Sequence, residues 1–208
     1  MKTARFEQSG FIFENNAGHT LAVDIAGYTP IEKLADVSAD AVLISHIHGD
    51  HFSLDHIKAL SPKKVYLGSE CIEALGAGPF HFEIIEVRAG EEVDIEGTKV
   101  MPFEVDHGPN ASKKPRENFG FIFENNGEII YFAGDMFFAS GVDVSVLEID
   151  TAYLPVGTFY TFGPAEATAF AKQFKKIGQV IPMHYENNPE AKEEFLALAK
   201  KEGLNTEA

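Results

Sequence analysis

Three histidines and an aspartate fall within six consecutive positions, His46, His48, Asp50 and His51. Imidazole nitrogen and carboxylate oxygen are the usual ligands of zinc and of harder first-row divalent ions. The preceding run Ala41-Val42-Leu43-Ile44-Ser45 is short and apolar and reads as a buried strand. A tight loop at its end can turn several donors toward one point. Gly49 is expected to take an unusual backbone angle at the bend. The bland alternative, a solvated polar loop before a helix, does not account for four potential ligands in so short a stretch.

One such segment supplies four donors, and a pair of ions needs more. Three later strand ends carry suitable residues: His107 after Val100 to Val105, Asp135 after the run from Ile130, and His184 after Val180 to Met183. Singly each is weak evidence, because a lone histidine at a strand end is more often a hydrogen-bonded surface or core residue. Their joint order carries the reading.

The elements that must position these residues are organised by a repeat. Gly10-Phe11-Ile12-Phe13-Glu14-Asn15-Asn16 recurs identically as residues 120 to 126, at an offset of 110. That is too long for a solenoid period. Each copy reads as a strand and an Asn-rich turn leading to a second strand that ends near an aspartate, Asp24 or Asp135. Two related halves, each giving a hairpin to a sheet, are therefore expected, with Asp24 as the counterpart of Asp135. Elsewhere strands alternate with helices. Ser53 is an N-cap candidate for a helix to Leu60, and a second helix runs from Ser69 to about Leu75. A third spans Pro164 to Phe174 and a last one Pro189 to Lys201. The class is α/β, and no linker divides the chain, so one domain over 1–208 is expected.

Composition bounds the function. Seventeen basic against 32 acidic residues leave a net charge of −15 in 208 residues. Such a surface repels phosphate backbones and argues against a nucleic-acid partner. The lone cysteine, Cys71, excludes an intrachain disulfide and reads as a small buried apolar residue. No stretch has the length of a membrane span or a signal peptide, so a cytoplasmic protein without membrane contact is expected. The sequence leaves a homo-oligomer open.

The motif His46-x-His48-x-Asp50-His51, followed by His107, Asp135 and His184, resembles the signature of the metallo-β-lactamase superfamily across essentially the whole chain. Pro155 to Pro164 and Ile181 to Tyr185 are similar to a subgroup of small metal-dependent hydrolases that includes ascorbate 6-phosphate lactonase. The resemblance implies a four-layer αβ/βα sandwich of two similar halves. It implies one ion held by His46, His48 and His107, a second by Asp50, His51 and His184, and Asp135 bridging them. Zinc is the default for so many imidazoles, with manganese or iron compatible. His19, His56 and His81 have no counterpart role.

Two ions about 3.5–4 Å apart can share a water and lower its pKa toward neutrality. The expected function is thus a dinuclear hydrolase using a bridging hydroxide on a small ester, lactone or phosphodiester. Asp50 would orient that hydroxide and carry the proton. Asp24 is a candidate acceptor for a ligand histidine's second nitrogen. Lys113, Lys114 and Arg116, in the segment Asn110 to Asn118, would attract an anionic substrate from a lid. Thr158 and Tyr185 would line the pocket with Tyr160 beside them. A same-fold nuclease acting on RNA would need a basic arm, and none is present. A non-catalytic metal-binding protein is the other alternative.

Overall fold

The structure is a computed structural model that describes residues 1–108, 110 and 113–206. Strands β1 (Lys2–Arg5), β2 (Phe11–Glu14), β3 (Thr20–Val23), β4 (Ala41–Leu43), β5 (Lys64–Leu67) and β6 (Glu83–Glu86) form one sheet in that order. Strands β7 (Val93–Ile95), β8 (Thr98–Glu104), β9 (Phe119–Asn125), β10 (Glu128–Phe132), β11 (Glu148–Pro155) and β12 (Lys176–Met183) form the other. Helices α1 (Leu54–Leu60) and α2 (Ser69–Leu75) cover the first sheet, and α3 (Pro164–Ala171) and α4 (Pro189–Lys201) the second.

Side-chain alternation builds the layers. Phe11, Phe13, Leu21, Val23 and Leu43 face the second sheet, whereas Ile12, Ala22, Val42 and Ile44 face α1 and α2. The second sheet is apolar on both faces, with Phe121 and Phe123 toward the first sheet and Tyr131 against Phe170 and Phe174. This is the four-layer αβ/βα sandwich the sequence led us to expect.

Five strands of one half match five of the other in order and direction. The steps β1–β2 and β2–β3 are antiparallel and β3–β4 and β4–β5 parallel. The same succession runs from β8 to β12. The repeated heptapeptides supply β2 and most of β9, and their equivalent residues meet. Phe13 and Phe123 have ring centroids 5.2 Å apart, and Asn15 and Asn125 both bind the turn between β7 and β8. The ladders correct one expectation. Phe11 pairs with Val23, and Phe121 with Phe132. Asp24 therefore stands where Ala133 does, two positions short of Asp135.

Strand β1 was not anticipated because all four of its residues are exposed, which removes the alternation signal. Helix α3 ends at Ala171, short of the expected Phe174, yet Phe174 still packs on Tyr131 with centroids 5.1 Å apart. No helix among the described residues is long and apolar enough to cross a membrane.

Candidate metal centre

The seven anticipated ligands converge just past the C-terminal ends of β4, β8, β10 and β12. They form two groups, His46, His48, His107 with Asp135, and Asp50, His51, His184 with Asp135. In each, one candidate ligand atom per residue lies within 4.8 Å of every other. Asp135 belongs to both. Its Oδ2 is 3.5 Å from His107 Nε2 and 3.2 Å from His184 Nε2, while its Oδ1 is 3.2 Å from His51 Nε2. Asp50 Oδ2 lies 3.5 Å from His184 Nε2 and 3.7 Å from His51 Nε2.

The donor chemistry fits divalent ions. The far nitrogens of these rings are tied back. His48 Nε2 donates to the Lys113 carbonyl at 2.8 Å, and His46 Nδ1 to Ser45 Oγ at 3.0 Å. Their free lone pairs, on His48 Nδ1 and His46 Nε2, then face each other at 3.0 Å, an arrangement that calls for a cation between them. Three further buried atoms, His51 Nε2, His107 Nε2 and Asp135 Oδ1, have no hydrogen-bond partner. Buried polar atoms are rarely left so.

Electrostatics agree. Burial, reinforced by neighbouring His51, holds His46 well below its ordinary pKa, so it is neutral. Burial alone would depress His51 too, but Asp135, Asp50 and Asp24 together raise it well above the usual histidine value. His184 is burdened by burial and yet, facing Asp135, is pushed up to about 9. Burial would raise the carboxyls of Asp135 and Asp50, but the facing histidines hold both well below the usual range. The raised histidines and the lowered carboxylates share one cause, their mutual attraction, which favours protons on His51 and His184. An ion held by these residues would have to take the place of such protons.

One buried carboxylate organises both groups. Asp24 Oδ2 accepts from His51 Nδ1 at 2.8 Å and from Ser45 Oγ at 2.6 Å, and Ser45 in turn holds His46. Its backbone sits at φ +50°, which asparagine also tolerates. Asp24→Asn therefore tests the charge with little backbone penalty. Metal affinity measured by chelator competition is expected to fall about 10–100-fold; an unchanged affinity would show that Asp24 only closes a turn.

Gln8 was not anticipated. It is 1% exposed at φ +60°, and its Nε2 is 3.1 Å from both Asp50 Oδ2 and His184 Nε2. Its carbonyl accepts the His184 amide at 3.0 Å. Gly157 is required for a different reason, since any Cβ there would collide with the His184 carbonyl. The bend at Gly49, by contrast, is made without positive φ, contrary to expectation, and a Cβ there would meet nothing within 4 Å.

The substrate candidates divide. The cleft over the ligands has a volume of about 460 Å³, and Tyr160 lines it. Thr158 shapes the adjoining turn, its Oγ1 accepting from Asn188 at 3.1 Å. Tyr185 points the other way, stacked under Arg5 at 4.3 Å. Arg116 is not brought to the cleft, because Glu73 at 2.6 Å and Glu70 at 3.6 Å hold it against α2. Lys113 and Lys114 are exposed, and Ala111 and Ser112 of the expected lid lie outside the described residues. His56 binds the Thr29 carbonyl and Ser53, away from the ligands. Cys71 is buried, and burial pushes its thiol up to about 12, as befits a packing residue.

A family model described as "Beta-lactamase superfamily domain" matches residues 4–184. A UPF0173 metal-dependent hydrolase of Methanocorpusculum labreanum is 30% identical over 185 residues, covering 85% of this chain and 82% of that one. A relative of the same description from Thermococcus onnurineus is 32% identical over 165 residues, covering 76% and 71%. Among solved structures, Igni18, a metallo hydrolase of Ignicoccus hospitalis, superposes with a TM-score of 0.79 at 21% identity, covering 99% of this chain and 93% of that one.

Proposed function

The chain belongs to the metallo-β-lactamase superfamily and is a metal-dependent hydrolase, and on that premise we propose that it works with two divalent ions on a small ester, lactone or phosphodiester. The observation that carries the proposal is Asp135, one buried carboxylate shared by two otherwise separate ligand groups. Five imidazoles against two carboxylates favour zinc, and manganese or iron suits the carboxylates. Bound there, such a pair supplies Lewis acidity and a water of lowered pKa.

The chain's own residues do the rest. His46, His48 and His107 would hold one ion, and Asp50, His51 and His184 the other. Asp50 is only partly buried, with 23% of its side chain exposed, and so keeps a carboxylate oxygen available at the cleft. Gln8 donates to that carboxylate and holds it in place. We assign Asp50 the orienting of the attacking water and the acceptance of its proton. The small-molecule reading rests on cleft volume, which lies within the range of ligand pockets. An anionic substrate would depend on Lys113 and Lys114, since Arg116 is already paired.

Reconstitution with zinc, manganese or iron(II), elemental analysis, and turnover of a panel of lactones, phosphodiesters, esters and thioesters test this. Two ions per chain with hydrolysis of a panel member is the expected result. Less than one ion per chain overturns the dinuclear site. Two ions with no turnover overturns the assigned bond classes.

A further inference from the structure

Among the described residues, the cleft is uncharged except where it would bind metal. Of the described residues lining it, Asp50 and Asp135 are the only carboxylates, and none is lysine or arginine. In a chain of which 24% of residues are charged, the remaining walls are Gln8, Gly27, Tyr28, Gly49, Asn110, Tyr160 and Asn187 beside the ligand histidines.

Two of those walls are aromatic and held in place. The first, Tyr28, is 38% exposed, and its hydroxyl accepts from Asn187 Nδ2. The second is Tyr160, 39% exposed, in the turn at residues 158–160. That turn is strained: Thr158 and Phe159 are consecutive non-glycine residues at φ +70° and +42°. A bulky residue in that region is an outlier that persists only when its surroundings enforce it. They do so here. Asn110 Nδ2 donates to the Phe159 carbonyl at 2.5 Å, Asn188 holds Thr158, and the Thr158 amide bonds the Phe162 carbonyl at 3.0 Å. Gly108, directly after the ligand His107, has no room for a Cβ against the Tyr160 carbonyl. Strain, close packing on a ligand-bearing strand end and exposed rings coincide at one place.

From this we infer that Tyr160 and Tyr28 form a clamp for an uncharged, ring-bearing group of the substrate, held beside the metal ligands. The inference rests on the hydrolase reading above and names the substrate class within it. A carboxylate or phosphate tail finds no cationic partner on these walls, and a cationic tail finds no carboxylate other than the metal ligands. A flat, neutral ring meets two aromatic walls, and aromatic pairs gain from face and edge contact beyond their buried area.

The test compares three methyl esters on the metal-loaded protein: methyl phenylacetate, methyl hydrogen succinate and betaine methyl ester. The phenyl ester is expected to have the highest kcat/KM. Tyr160→Ala and Tyr28→Ala should each raise its KM by about tenfold, with a smaller change in kcat. Phe138→Ala, at an exposed ring away from the cleft lining, is the control and should match the parent. Preference for either charged ester, or an unaltered KM in both tyrosine variants, overturns the clamp. Binding of phenylacetamide, followed by saturation-transfer NMR, separates the two proposals. If no ester is hydrolysed but this signal is present and weakens in Tyr160→Ala, the clamp stands while the ester reading fails. If the signal is absent, the clamp falls.

Discussion

Asp135→Asn should strip the protein of metal and activity in one step. The substitution keeps the shape and removes the charge that both ligand groups share. Without it, His51 and His184 lose the carboxylate that raises them, and the second oxygen needed to join the two groups becomes an amide nitrogen. The loss in affinity should exceed the roughly 10–100-fold expected when a supporting partner alone is removed. Elemental analysis after dialysis reads the first effect and hydrolysis of the active panel member the second. Far-UV circular dichroism of the metal-free variant should still match the parent, because Asp135 lies past the end of β10 and takes no part in its ladder. A variant that retains two ions per chain would refute the bridging role.

Phe123→Ala should do the opposite, leaving the ligands intact and weakening the fold. Phe123 is fully buried where the sheets meet, 5.2 Å from Phe13 and 6.0 Å from Phe121. Truncating such a ring in a packed interior costs about 3–5 kcal/mol, from lost burial and the cavity left behind. For a chain of this length that lowers Tm by about 6–20 °C. Urea denaturation of the metal-free protein measures it without interference from ion binding. A loss under about 1 kcal/mol would mean that the sheets close up around the gap and that this contact is not central.

Much of the site was legible because its chemistry is written in rare residues at strand ends. His46, His48, Asp50 and His51 crowd together in the chain, and His107, Asp135 and His184 each follow an apolar run that marks a strand. The repeat exposed the two-sheet plan for a similar reason, since identical strands need identical surroundings. What escaped detection lies where the chain gives no local sign of a distant partner. Gln8 sits in a short loop ahead of the repeat and meets His184 across 176 positions. Arg116 read as a free cation, because Glu70 and Glu73, which hold it, lie more than forty positions earlier. Tyr185 followed a ligand and was expected at the cleft. With His184 at φ +59° the chain turns there, sending the next ring toward β1. Asp24 was read as the counterpart of Asp135 although the ladders set it two positions away. It reaches the site nonetheless, as support for His51.

The contact between Phe13 and Phe123 has a consequence of its own. Residues that are equivalent in the repeat touch each other, as they do across an isologous interface between two copies of one subunit. The candidate ligands straddle that seam, with His46, His48, Asp50 and His51 from one side and His107, Asp135 and His184 from the other. Neither half can assemble the centre alone. An ion that binds only the docked pair adds its binding free energy to docking, about 4 kcal/mol when present at a thousand times its dissociation constant. A metal held there would then help to keep the two halves of the molecule together.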